Sequence, residues 1–363
     1  MIMVDRDYFL EVEPYSLPQC EKEEILTEGL KNLTGFHKDH CEEYARYLRS
    51  IEYDEEKVKG LCDIPFFPVR MFKELELLSV PKEDIIKTTT SSGTTGQQVS
   101  KMFIDKDTAS FQQKMTVKQL TNYWGKKRQP FLIVDSESTI KDRTKYSARA
   151  AGIMGLRFFS TEMVFCLDDD MELNTDVVDD FLNKHGEEQF VVFGFTFMVW
   201  KHLYQSLKSQ NRTVDMHNAI LMTGGGWKKF VDEGVTRDQF KYELNKVCNI
   251  KRFMDHYGMA EQVGSIYLEC ECGHYHASVF SDVIVRDYKD FSPCAIGKEG
   301  IIQVLSIAPY SYPGHSLLTE DMGTIEGVDD CPCGRKGKYI KVDGRIPNAE
   351  IRGCSDSYAS QFK

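Results

Sequence analysis

Ile85-Ile86-Lys87-Thr88-Thr89-Thr90-Ser91-Ser92-Gly93-Thr94-Thr95-Gly96-Gln97 is the stretch on which the fold assignment turns. Between Thr88 and Gly96 there are seven hydroxyl side chains and two glycines. An apolar pair precedes the run, and Lys101-Met102-Phe103-Ile104 follows it, so the pattern predicts strand, tight loop, strand. Such a loop suits a polyphosphate. Glycine lets the backbone come close, successive N–H groups form an anion-binding concavity, and hydroxyls add rotatable donors. The common nucleotide P-loop is excluded, because Gln97 follows Gly96 and no Lys-Ser/Thr pair opens a helix there. Read alone, the stretch fits a Ser/Thr-rich surface turn equally well.

Outward from the loop, strands and helices alternate. Glu21 to Leu33, Cys41 to Ile51, Asp107 to Tyr123, Met198 to Leu207 and Arg237 to Asn245 carry helical spacing. Pro130 to Asp135, Phe190 to Phe195 and Ala219 to Thr223 are short apolar runs that predict buried strands. This order predicts an α/β fold with a parallel or mixed sheet. From Ser278 onward the pattern is strand-rich, at Val283 to Val285, Gly300 to Leu305 and Lys338 to Val342. The expected organisation is a helical N-terminal region over 1–87, an α/β core over 88–343 with a β-rich region over 264–343, and a hinge and tail over 344–363.

The 363 residues are 41% hydrophobic, enough for a large core. The formal net charge of −11 argues against a general nucleic-acid or anionic-membrane binder. No apolar run approaches membrane-spanning length, and the N-terminus lacks a signal-peptide core, so a cytoplasmic protein is expected. Eleven cysteines in a chain this long do not suggest a disulfide framework. Cys270-Glu271-Cys272-Gly273 and Cys331-Pro332-Cys333-Gly334 instead read as two knuckles that close a tetrahedral zinc cage, with His276 able to replace one thiolate. Four protein ligands leave no open position, so a structural role is expected. Free thiols in a reducing cytosol are the alternative.

Two further loops fall where ligands gather in open α/β sheets, at strand ends: Gly224-Gly225-Gly226 and Tyr257-Gly258-Met259-Ala260-Glu261. A ligand ring can lie on the glycines, Tyr257 can stack on a base, and Glu261 offers a hard oxygen to Mg²⁺.

In this order the pieces resemble the adenylate-forming superfamily of acyl-CoA synthetases, adenylation domains and firefly luciferase. Ser91 to Gly96 resembles its phosphate loop, and Gly225-Gly226 falls at its adenine-binding turn. Tyr257-Gly258-Met259-Ala260-Glu261 is similar to its Tyr-Gly-x-x-Glu motif. Leu318-Thr319-Glu320-Asp321 is similar to its Thr-x-Asp motif, and Asp343-Gly344-Arg345 to its Gly-Arg hinge. The resemblance implies ATP and Mg²⁺ as cofactors, with Ser91, Ser92, Gly93, Thr94, Thr95, Gly96 and Lys101 on the phosphates. It places Tyr257 and the glycines on adenine, Gly258 near the acyl-phosphate, Glu261 on Mg²⁺, Asp321 on the ribose hydroxyls, and Arg345 on ribose or phosphate.

Within the superfamily the chain looks most like the acyl-protein synthetases of the bacterial bioluminescence fatty acid reductase system, with phenylacetate-CoA ligases as near relatives. The compact length, Ser100-Lys101 after the loop, the paired knuckles and Ala349-Glu350-Ile351-Arg352-Gly353-Cys354 carry that likeness. It implies that a fatty acid is adenylated, carried as a thioester on Cys354, and passed to a partner reductase. Two features depart from the pattern. Gln98-Val99 stands where relatives carry Pro-Lys, so either Lys101 takes the basic role or no residue does. The sequence ends at Lys363, too soon after Gly344 for the mobile domain of about 100 residues that follows the hinge in full-length synthetases. The expected alternatives are an acyl- or aryl-CoA ligase and a non-catalytic nucleotide-binding scaffold. Phe193, Phe195, Phe197, Met222 and Trp227 are candidates to line an acyl pocket, with core packing the expected fate of most of them.

Overall fold

A computed structural model describes residues 6–91, 99–141, 148–225 and 235–346. The positions Ser92, Gly93, Thr94, Thr95, Gly96, Gly226, Trp227 and Cys354 lie outside these residues. The described residues of Met1–Gly125 and Tyr257–Glu350 form one compact unit, and those of Lys126–His256 form another. In chain order the strands are β1 Phe67–Pro68, β2 Ile85–Thr90, β3 Lys101–Asp105, β4 Gln129–Ser136, β5 Ser160–Leu167, β6 Phe190–Phe195, β7 Ala219–Gly224 and β8 Arg252–Met254. They continue as β9 His256–Tyr257, β10 Tyr267–Glu269, β11 Tyr275–His276, β12 Ser281–Arg286, β13 Gly300–Ser306, β14 Ser316–Val328 and β15 Lys338–Arg345.

The unit built from Lys126–His256 holds a five-stranded parallel sheet in the order β5-β4-β6-β7-β8. Parallel strands need crossovers, and here Ala148–Leu156, Thr175–His185, the helical stretch from Thr196 to Ser209, and Arg237–Cys248 supply them. Both sheet faces are covered, so β4 is a continuous apolar run in which Phe131, Leu132, Ile133 and Val134 are all fully buried. Leu132, Val134, Val192 and Leu221 pack with Val199, Leu203, Phe240 and Leu244. The last helix starts on a capping box, in which Thr236 accepts from the Gln239 amide and Gln239 Oε1 accepts from the Thr236 amide. It stops at Asn249, whose φ of 52° is left-handed.

The other unit is organised by an eight-stranded mixed sheet. It runs β12-β13-β14-β15-β11-β10, ends at the two-residue strand that includes Tyr257, and carries β1 parallel to β14. The Pro-bounded break in the N-terminal pattern is β1 itself. Phe67 is fully buried, and the amide of Val69 donates to Leu318 O at 3.0 Å. Gln19–His40 presents Leu26, Leu30 and Leu33 to one core shared with Ile284, Leu305 and Ile307. A second core gathers Tyr44, Phe67 and Phe72 with Met102, Ile104, Val304 and Leu317. The hairpin β2–β3 is the strand–loop–strand expected around the hydroxyl run, with Thr90 opposite Lys101.

Polar groups are buried here as fully as apolar ones. Lys22 and Lys338 both reach Asp282, at 3.1 and 2.8 Å, and Gln19 Nε2 donates to the same carboxylate at 2.7 Å. Burial alone would raise the Asp282 carboxyl, but the two ammonium groups hold it well below the usual range. His37 and His315 stack at 4.9 Å between rings and are buried neutral. Among the described residues, no helix is long and apolar enough to cross a membrane.

Candidate nucleotide site and metal cage

The motif residues of the mixed-sheet unit come together at the open end of the β14–β15 hairpin. Asp321 faces Arg345 across the strand pair, and its Oδ1 lies 3.6 Å from Arg345 Nε. The Tyr257 hydroxyl donates to Asp321 Oδ2 at 2.9 Å. Burial of that hydroxyl, with the Asp321 charge beside it, pushes it well above its ordinary range, so it stays a donor at neutral pH. Thr319 fixes the turn of the strand: its Oγ1 donates to Ile302 O at 2.7 Å and accepts from the Asp321 amide at 3.1 Å. This explains the Thr-x-Asp spacing, since a hydroxyl two residues before the acid ties its backbone down.

Glu261 lies on the short turn Ala260–Gln262 and is only 4% exposed. Gln262 holds that turn by donating to Gly314 O at 2.9 Å. A buried carboxylate supplies the oxygen donor that a hard divalent cation takes, so Glu261 fits a magnesium ligand. Met102 and Ile104 of β3 belong to the core on which Tyr257, Met259 and Ala260 pack. The hairpin bearing the hydroxyl run therefore shares its base with the Tyr257–Glu261 loop. Ser91 begins the loop, where its amide donates to Ser100 O at 3.1 Å and its Oγ accepts from the Ser100 amide at 3.0 Å. Lys101 is exposed at the start of β3, and Gly258 is exposed beside Tyr257.

In the parallel-sheet unit Gly225 follows β7 with φ of 78°, and a Cβ there would meet the Phe195 ring at 2.7 Å. A glycine is required on both counts. Of the expected acyl-pocket residues, Phe193 and Met222 are buried, and Phe195 and Phe197 are partly buried. Sequence reading passed over a polar cluster at the carboxyl end of β4. There Arg149 Nε lies 3.1 Å from Asp135 Oδ2, and Thr139 donates to Asp135 Oδ1 at 2.6 Å. Strands β4 and β6 send their connections to opposite sides, which is where open α/β sheets form crevices. An acid closing an apolar strand, as Asp135 closes Phe131 to Val134, was the available signal.

Far from Asp321 along the hairpin, the knuckles meet. One ligand atom from each of Cys270, His276, Cys331 and Cys333 lies within 4.8 Å of all the others. The Cys270 and Cys331 sulfurs are 3.8 Å apart, and Cys333 Sγ is 3.4 Å from His276 Nε2. A tetrahedron with metal–sulfur arms of about 2.3 Å has edges of about 3.8 Å, so the spacing fits zinc. Cys272, expected as the fourth thiolate, stands exposed outside this group. The tight turn closed by Gly273, at φ of 85°, aims the Cys272 amide rather than its sulfur at the cage, and that amide donates to Cys270 Sγ at 3.3 Å. His276 takes the vacated corner; its Nδ1 is buried with no hydrogen-bond partner among the described residues. Burial pushes the Cys270 thiol up to about 11, whereas Cys333 is drawn down against burial by its neighbours, Arg335 among them. A cation between the sulfurs would relieve that conflict.

The chain has relatives among known proteins. It is 24% identical over 351 residues to the long-chain-fatty-acid–luciferin-component ligase of Aliivibrio fischeri, covering 94% of this chain and 89% of that one. The enzyme of the same name from Vibrio harveyi is 22% identical over 352 residues, with the same coverage. Among solved structures, an open conformation of 2-hydroxyisobutyryl-CoA ligase in complex with 2-HIB-AMP and CoA superposes with a TM-score of 0.70 at 15% identity. That match covers 93% of this chain and 78% of the other. The α/β fold with mixed sheets is thus that of adenylate-forming ligases. A family model described as acyl-protein synthetase, LuxE, matches residues 2–363, and the chain belongs to that family.

Proposed function

We propose that the protein activates a long-chain fatty acid with ATP and carries the acyl group on Cys354 for transfer to a partner. The enzyme class, an ATP-dependent ligase that forms an acyl-adenylate, follows from the family. The chain length of the acid is taken from the names of the relatives. The observation that carries the reading is the Tyr257–Asp321–Arg345 constellation, built from three motifs spread along the sequence.

In the first step a carboxylate oxygen attacks the α-phosphorus of ATP and the bond to the β-phosphate breaks, giving acyl-adenylate and pyrophosphate. Such chemistry needs positioning and charge neutralisation. Asp321 accepts from the ribose hydroxyls, and Tyr257 orients Asp321. Arg345 neutralises phosphate or orients ribose. The loop Ser91–Gly96 and Lys101 take the β- and γ-phosphates, and Gly225 and Gly226 receive adenine. Glu261 would hold magnesium, which supplies positive charge to the phosphates. In the second step the Cys354 thiolate attacks the acyl carbonyl and AMP leaves. The acceptor after Cys354 is a reductase-type partner protein, and the setting is the reducing cytoplasm that keeps the thiols free.

A zinc ion in the Cys270–His276–Cys331–Cys333 cage is the second element of the proposal. Its tetrahedron is closed by protein ligands, so its role is structural.

Mixing the protein with ATP, Mg²⁺ and tetradecanoic acid is expected to release pyrophosphate. Release from no acid in a panel of fatty and aryl acids would end the ligase reading and leave a nucleotide-binding scaffold. Asp321→Ala is expected to lower release by about a hundredfold or more, the scale of two lost charge-assisted hydrogen bonds. Cys354→Ser is expected to keep adenylate formation and lose covalent labelling by radioactive acid. Labelled CoA appearing instead would point to a CoA ligase.

A further inference from the structure

We infer that the metal cage is the register lock of the β14–β15 hairpin, so that metal occupancy sets nucleotide affinity at the hairpin's opposite end. The inference rests on the nucleotide reading above. The turn joining the two strands carries Cys331 and Cys333, and the far end carries Asp321 opposite Arg345. Between them the pairing is irregular twice, once between Ile325 and Gly327 and again between Met322 and Gly323. Each irregularity leaves a residue out of the ladder and disrupts the pairing locally. A slip of one residue turns every side chain to the opposite face, and glycine-rich polar strands specify register weakly. The stretch 323–327 is of this kind, with Ile325 its one buried apolar side chain. Unless the pairing is held at these two irregularities, Arg345 has no fixed seat beside Asp321.

The cage supplies that fixing through one side chain on β11, one just after β10 and two in the β14–β15 turn. His276 sits on β11, paired with Tyr339 of β15, while Cys270 follows β10. One ion would tie the β10–β11 hairpin to the β14–β15 turn. Tyr339 relays the constraint: its ring stacks on His274 at 4.5 Å, lies 5.5 Å from His276, and its backbone partner is Gly327 at the first irregularity. His274 Nδ1 lies 3.3 Å from Cys331 Sγ, and Arg335, ion-paired with Glu271 at 2.7 Å, spans the two knuckles from outside. The mouth of the turn is held independently. Gly337 donates to Asp329 Oδ1 at 2.7 Å, and Asp329 donates to Gly337 O at 3.1 Å. Loss of the ion therefore leaves the turn and the fold in place and loosens the pairing beyond it, across the two irregularities toward Asp321 and Arg345.

The experiment uses the full chain. Zinc is measured by mass spectrometry, ATP affinity by calorimetry, and backbone protection by hydrogen exchange. These are compared in wild type, Cys331→Ser, Cys272→Ser and Asp321→Ala, with chelation and zinc add-back on wild type in case Cys331→Ser fails to fold. Wild type, Cys272→Ser and Asp321→Ala are expected to hold one zinc. Cys331→Ser or chelated protein is expected to hold none, to bind ATP about tenfold more weakly, and to exchange faster across 316–328 and 338–345. Asp321→Ala loses ATP while keeping zinc and protection. Absence of metal from wild type, or metal loss that changes neither affinity nor exchange, overturns the inference. Zinc retained in wild type that binds no ATP sinks the nucleotide reading instead. The register lock then stands or falls on whether exchange rises when zinc is removed.

Discussion

In the parallel sheet, Phe131, Leu132, Ile133 and Val134 are buried and apolar in sequence; in the mixed sheet, Asp282, Gln303, Ser306 and His315 are buried just as completely. The first core is held by area removed from water, which is non-directional. The second is held by partners: Lys22 and Lys338 for Asp282, and Ser316 for Gln303, whose Nε2 donates to Ser316 Oγ at 2.9 Å. Directional partners specify one arrangement at the risk of a large penalty when one is missing. That the motif residues Tyr257, Glu261, Asp321 and Arg345 all belong to the second kind of unit fits their need for fixed geometry.

Breaking the partnered core is expected to give the largest loss. Asp282→Ala leaves two buried ammonium groups uncompensated, and urea unfolding should show a loss of about 3–5 kcal/mol. A double substitution of Asp282 and Lys22 to apolar residues should recover much of it; if it does not, the pair is not the origin of the effect. In the apolar core Leu132→Ala should cost about 3 kcal/mol, from transfer and cavity together, independent of pH between 5 and 7.

Acid separates the two cores next. Burial lowers His315 to about 3 and His37 well below its ordinary value. Both are neutral in the folded protein and take up protons when it unfolds. Their contribution is complete above the unfolded value near 6.5 and is lost as pH falls below it toward the folded value. Between pH 7 and 5 this amounts to about 2 kcal/mol for each buried histidine. The parallel-sheet unit has a weaker counterpart in His202, lowered to about 4 by burial. A urea midpoint unchanged from pH 7 to pH 5 would mean that these histidines are charged in the folded state. The smallest effect is expected from Thr319→Val, which strips the Asp321 amide of its acceptor at a cost of about 1–2 kcal/mol. It should weaken ATP binding far less than Asp321→Ala; equal effects would make Thr319 a direct ligand.

Legibility followed the same division. Phe190 to Phe195 and Ala219 to Thr223 read as strands because a strand buried on both faces is apolar throughout. Ser160–Leu167 did not, since it lies at the sheet's edge with a half-exposed middle. The thirteen-residue β14, with acids and glycines inside it, has little strand propensity of its own and is a strand because β13 and β15 flank it. The nucleotide motifs were legible as chemistry, but the hydrogen bond from Tyr257 to Asp321 was not, because 64 positions separate them. The knuckles announced a cage, yet the choice of His276 over Cys272 depended on a turn whose φ no spacing encodes.

The order of the chain has a consequence for its synthesis. The described residues of the parallel-sheet unit all fall within Lys126–His256, so its described strands are complete as soon as residue 256 leaves the ribosome. The mixed-sheet unit is interrupted: Gln19 and Lys22 emerge early, but their partner Asp282 is made only after the whole intervening segment. Domains fold as units when their last element appears. The N-terminal helices must therefore wait, with Leu26, Leu30 and Leu33 uncovered, while a later segment completes its fold ahead of them. A nascent chain arrested shortly after residue 256 should thus present a protease with a resistant middle and a labile beginning.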